Sequence, residues 1–250
     1  MDRRVALLKE FYRGLLVDRV KVETSEYGFA FLDALLGGEA TLEYAELTLS
    51  KVLHKYKLTD VQPARLNMLL RRHLAKECNV CLYFDARANR TFSFNIDNNH
   101  TTDNTALIPE VEVATEELAA RLRSVGCHPL VLASGRGYHL WCRLSAPVEN
   151  ARIYRFMLHA AAAALLVVHQ RGLGTDEVKF NFYPDPRAHD VVSLRLFGSE
   201  HAKNGVFSRV RTPEGLLDEE ASWAYFEDHL RTRTIDVDTF DRAFDAIVGP

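Results

Sequence analysis

PLVLASGRGYHLWCRL, residues 129–144, decides how the chain is read. Two apolar runs of strand length flank Gly135-Arg136-Gly137, and a hairpin with a type I′ or II′ turn wants glycine there. Beyond the turn, alternation puts Tyr138 and Leu140 on one face, with His139 and Trp141 on the other. The two glycines also let backbone approach a ligand and leave N–H groups pointing outward. Arg136 carries a planar fork that matches phosphate oxygens, and Ser134 and His139 add donors from the two arms. The expectation is an anion cradle built on a hairpin.

Working outward, TFSFNID (91–97) alternates in the same way. Phe92, Phe94 and Ile96 face one side; Ser93, Asn95 and Asp97 face the other. A carboxylate at a strand end, followed by Asn-Asn-His, either holds a divalent ion through oxygen ligands or caps a turn. Further on, LRLFGSEHAKNG (194–205) gathers Arg195, Ser199, His201 and Lys203 around Gly198. That is a second set of phosphate or sugar donors, or an exposed basic loop. Just before it, YPDPRAHD (183–190) supplies Asp185 and Asp190.

The order of these stretches resembles the three-motif core of the archaeo-eukaryotic primase superfamily, the group of small primase subunits and primase-polymerases. The resemblance covers roughly residues 79–211, closely from Ser134 to Trp141 and well from Arg195 to Gly205. It implies a DNA primase or related nucleotidyltransferase, carrying out template-directed transfer with two Mg²⁺ or Mn²⁺ ions about 3.5–4 Å apart. Asp97, Asp185 and His139 would then be the catalytic set. Asp97 with Asp185 or Asp190, and Asn95 beside them, would hold metal; the spacing to Arg195 favours Asp185. Ser134, Arg136 and His139 would bind the incoming nucleoside triphosphate, helped by Arg195, Ser199, His201 and Lys203. Single-stranded DNA or RNA would be the template, with helicase or other replication and repair proteins as further partners. One departure stands out. The family's first motif carries two acids two residues apart, and here that pair is Asn95 and Asp97, so one charge is missing. The alternative is therefore a catalytically weakened nucleotide- or nucleic-acid-binding module of a larger complex.

The bulk numbers set limits on this reading. A chain of 250 residues with 47% hydrophobic content can bury a core. A net charge of -3 argues against a purely electrostatic nucleic-acid binder. The charge is unevenly spread: residues 134–211 carry 11 Lys and Arg against 6 Asp and Glu, and residues 212–250 carry 3 against 10. The longest apolar run, 160–168, is too short to span a bilayer, and the N-terminus has no secretory pattern, so a cytoplasmic protein without membrane contact is expected. Cys78 and Cys81 have zinc-ligand spacing with His73 upstream, but no second pair completes a tetrahedral set. Zinc is not expected, and buried thiols are.

The fold expected is α+β, in three parts. Residues 1–77 read as a lobe of four helices, including EYGFAFLDALLGG (26–38) and TLEYAELTLSKVLHKY (41–56). Residues 78–211 read as a primase-like core of antiparallel and mixed strands, an RRM-like part plus a second α/β unit. There VCLYFDARANRTFSFNID (80–97) reads as a strand pair, and EVKFNFY (177–183) as a later strand. Residues 212–250 read as acidic helices packed on the core.

Overall fold

The computed structural model describes residues 2–15, 19–25, 40–47, 52–99, 107–187, 194–201 and 205–249. Along the chain these form α1 (Asp2–Phe11), β1 (Val20–Thr24), β2 (Ala40–Leu47), β3 (Val52–Leu58), α2 (Pro63–Leu74), β4 (Asn79–Leu82) and β5 (Ala88–Asn98). Then come α3 (Pro109–Ser124), β6 (Leu130–Ala133), β7 (Gly137–Glu149), α4 (Asn150–Gln170), β8 (Val178–Tyr183) and β9 (Leu194–Arg195). The chain closes with β10 (Arg211–Thr212), β11 (Gly215–Leu216), α5 (Glu219–Thr232) and α6 (Val237–Val248). The α+β class holds. Two compact units divide these elements: Met1–Phe84 with Val191–Ser208, and Asp85–Asp190 with Arg209–Pro250.

The first unit corrects the helical lobe. Its centre is a five-stranded antiparallel sheet in the order β2-β3-β1-β4-β9. In the 41–56 segment, rich in Leu, Ala, Glu and Lys, the described residues 41–47 and 52–56 are not helical but belong to β2 and β3. Weak helix propensity yields here to pairing across the sheet. In β1, Val20, Val22 and Thr24 point inward while Lys21 and Glu23 point out, a period of two. Across the outer face Lys55 lies between Glu23 at 3.4 Å and Glu46 at 3.2 Å. Among the described residues of the lobe, α1 and α2 are the helical parts; the 26–38 stretch lies outside them.

The 80–97 strand pair is a second correction. β4 joins the first unit's sheet and β5 joins another, so they do not form a hairpin. Between them Asp85 Oδ1 accepts from the backbone N–H groups of Arg87 and Ala88, an Asx turn that redirects the chain.

His73, at the end of α2, locks the first unit's edge. Its Nδ1 accepts from the Val80 N–H at 3.1 Å, so the ring proton sits on Nε2 and is donated to the Phe197 carbonyl at 3.0 Å. Burial lowers its pKa from 6.5 to about 4. The unfolded chain therefore binds a proton here before the native state does. Stability from this site is complete above pH 6.5 and falls as the pH drops towards 4, by up to roughly 3 kcal/mol. Urea unfolding at pH 7 and at pH 4.5 is expected to show this loss, and His73→Asn to lessen it.

In the second unit a four-stranded antiparallel sheet runs in the order β6-β7-β5-β8. One face carries Phe92, Phe94, Ile96, Tyr138, Leu140 and Cys142 into the main core, where α3, α4 and α6 pack. The rings of Phe92, Phe156 and Phe240 meet edge-on or tilted, 5.1–6.0 Å apart. α4 is long and apolar enough by composition to cross a bilayer, yet it buries Ile153, Phe156, Met157, Ala160, Ala164 and Val168 in this core. Asp218 and Asp236 cap α5 and α6 by accepting from Ala221 N and Thr239 N. All four cysteines are buried and outside disulfides, and burial pushes the Cys127 thiol up to about 12.

Candidate nucleotide-binding face

The hairpin at 129–144 forms as its sequence predicts. Ala133 pairs with Tyr138, and the Ser134 N–H donates to the Gly137 carbonyl at 2.8 Å, closing a two-residue turn on Gly135 and Arg136. Gly135 has φ +106°, while Arg136 keeps negative φ, the type II′ pattern. The second glycine differs from expectation. A Cβ on Gly137 would lie 1.9 Å from the Ile96 carbonyl oxygen, so its bareness admits the neighbouring strand, not a ligand.

Opposite the core, the sheet's other face presents cross-strand rows. Trp141, Ser93 and Tyr183 are register partners; next come His139, Asn95 and Asn181; then Gly137, Asp97 and Lys179. Partners in such rows share a face with Cβ atoms about 5 Å apart. Asp97 and His139 are thus on one surface, Asp97 one row beyond Asn95 and His139.

Asp97 is the charged centre of this face, with a side chain only 7% exposed. Its Oδ2 accepts from Asn95 Nδ2 at 2.8 Å and from the Arg136 guanidinium at 3.3 Å. A carboxylate can only accept, so the Asn95 amide nitrogen must face it. That leaves Asn95 Oδ1 buried and without a partner, in a residue 7% exposed. An orphaned carbonyl oxygen on an amide bonded to a carboxylate suits a hard cation, which takes oxygen ligands. The donor set is nevertheless thin. Among the described residues of this face Asp97 is the one carboxylate, and Arg136 already offsets its charge.

The other site residues fall as follows. Asp185 follows Tyr183, which pairs with Ser93, four residues back along β5 from Asp97 and about 13 Å away at ~3.3 Å per residue. Its carboxylate is held by Arg187, with contacts of 3.0 and 2.9 Å, and Arg187 stacks on the Tyr154 ring of α4 at 4.6 Å. The Arg187 bond keeps the Asp185 carboxyl below its usual range. β8 ends at Tyr183, so Asp185 lies past the Ser93 row and outside the rows that hold Asn95 and Asp97. Asp190 and Lys203 lie outside the described residues. Ser134 and His139 are buried on the second unit. Arg195, Ser199 and His201 belong to the first unit, where Arg195 pairs with Cys81 and Ser199 Oγ donates to the Cys78 carbonyl at 3.4 Å.

Asn181 and Lys179 are what sequence reasoning missed. The signal was available, since KFNFY alternates as SFNID does and puts Lys179, Asn181 and Tyr183 on one face. What it lacked was the register that sets Asn181 opposite Asn95.

No protein-family model matches the chain, and no curated protein matches it. Among solved structures it is similar to the polymerase domain of Mycobacterium tuberculosis ligase D in complex with DNA, at 13% identity and a TM-score of 0.44. That likeness covers 99% of this chain and 88% of the other. It is also similar to the AEP domain of the cyanophage S-2L primase-polymerase, at 10% identity and a TM-score of 0.40, over 90% of this chain and 97% of that one. The strand register carries the site.

Proposed function

We propose that the chain is a primase-polymerase-type protein that binds a nucleotide or a nucleic-acid strand on the β5–β7–β8 face and transfers nucleotides weakly or not at all. One observation carries this: Asp97 stands among amides, Asn95 two residues before it on β5 and Asn181 opposite Asn95 on β8, and its carboxylate is paired with Arg136. Two-ion transfer relies on concentrated negative charge to hold both cations, and Coulomb attraction at contact distance is strong enough that each missing carboxylate counts. Arg136, with Ser134 and His139 on the same hairpin, is the phosphate-binding side. Asp97 and Asn95 Oδ1 would hold one Mg²⁺ or Mn²⁺, which would supply charge neutralisation for a bound phosphate. As a binding module the chain would act within a replication, repair or defence complex.

A primed single-stranded template, labelled deoxynucleotides and Mg²⁺ or Mn²⁺ test the reading. Binding without measurable extension is expected. Arg136→Ala should weaken binding about tenfold or more, consistent with loss of a charge-assisted phosphate contact. Raising salt from 50 to 200 mM should weaken strand binding further. Extension that Asp97→Ala abolishes would instead establish template-directed nucleotidyl transfer.

A further inference from the structure

The Arg136–Asp97 contact raises a question that binding alone does not answer. Arg136 is the hairpin's phosphate-matching cation, and Asp97 the face's charged cation ligand, yet each occupies the other. The guanidinium is 26% exposed and the carboxylate 7%, so an incoming anion reaches Arg136 more readily than a cation reaches Asp97. Asn95 points the same way, since its amide nitrogen is spent on Asp97 while its buried oxygen has no partner. Lys179, register partner of Asp97, is exposed and adds positive charge on the same row. Arg136 and Asp97 thus neutralise each other, and Asn95 Oδ1 is left over as an acceptor.

We propose that this ion pair is a latch that couples anion and cation binding. A phosphate oxyanion takes Arg136 from Asp97, and the released carboxylate joins Asn95 Oδ1 in holding a divalent cation. Each ligand then promotes the other, because coupling between two sites is reciprocal. Without a cation, Asp97 competes with phosphate for Arg136; with one, the competition is removed. This rests on the proposed phosphate-binding role of the hairpin, and it makes the affinity for each ligand depend on the other. The phosphate can belong to a free nucleotide or to a strand.

The test uses the full chain, with dATP and a single-stranded oligonucleotide as separate probes, titrated calorimetrically in EDTA and again with Mn²⁺. In EDTA, Asp97→Asn is expected to bind at least one probe about tenfold more tightly than the unsubstituted chain, because its competitor is gone. Mn²⁺ should tighten binding to the unsubstituted chain and leave Asp97→Asn little changed. Far-UV circular dichroism checks that the variant is folded, and Asp97→Ser serves as a second variant. Tightening for dATP alone assigns a nucleotide phosphate, and tightening for the oligonucleotide alone assigns a strand phosphate. Equal or weaker EDTA binding by both folded variants overturns the latch while leaving the phosphate site standing. No binding of either probe to any form overturns the underlying reading as well.

Discussion

Gly137→Ala is expected to unfold the second unit or lower its stability by about 3 kcal/mol or more, because the added methyl would sit 1.9 Å from the Ile96 carbonyl oxygen. That oxygen belongs to backbone in the middle of a paired sheet, so it cannot swing away as a side chain would. β7 must move off β5, and the pairing of Asp97 with Gly137 goes with it. Gly172→Ala is the contrasting case. Its added methyl meets nothing within 4 Å, so only the φ of +74° opposes it, at about 1 kcal/mol. Urea unfolding of both variants separates close approach from backbone conformation. Similar losses in the two would contradict the assigned register.

The second large effect is a gain. Asn95→Asp combined with Asn181→Asp places three carboxylates in two adjoining rows on one face. Mn²⁺ binding, followed by electron paramagnetic resonance, is expected to tighten about a hundredfold, taking a conservative ~1.4 kcal/mol for each added charge. Without metal the variant should be less stable than the parent at pH 7, because buried like charges repel. Adding Mn²⁺ should restore that stability, since a ligand bound by the native state alone stabilises it. If the two changes leave Mn²⁺ binding where it was, Asn181 does not share a site with Asn95 and Asp97.

How much of this was legible in the sequence differs between the two units. In the second, period-two alternation in residues 91–97 and 137–142 correctly sorted core from polar face, because a strand buried on one side leaves no other choice. The hairpin was legible too, since Gly135 marks a turn needing positive φ. The first unit was misread at residues 41–56, where Leu, Ala, Glu and Lys favour helix locally and only cross-strand partners, such as Lys55 between Glu23 and Glu46, decide otherwise. The site was legible by motif but not by register. Spacing along the chain favoured Asp185, whereas the pairing of β5 with β8 sets Asn181 opposite Asn95 and turns Asp185 towards Arg187 and Tyr154. Linear distance says nothing about where a strand ends relative to its partner.

The most direct test of the central claim is anomalous diffraction at the manganese edge from crystals grown with Mn²⁺ and a deoxynucleoside triphosphate. One manganese peak is predicted, touching Asp97 and Asn95 Oδ1, with a phosphate oxygen on Arg136 and no manganese at Asp185. Two peaks about 3.5–4 Å apart, with Asp185 among their ligands, would contradict the account.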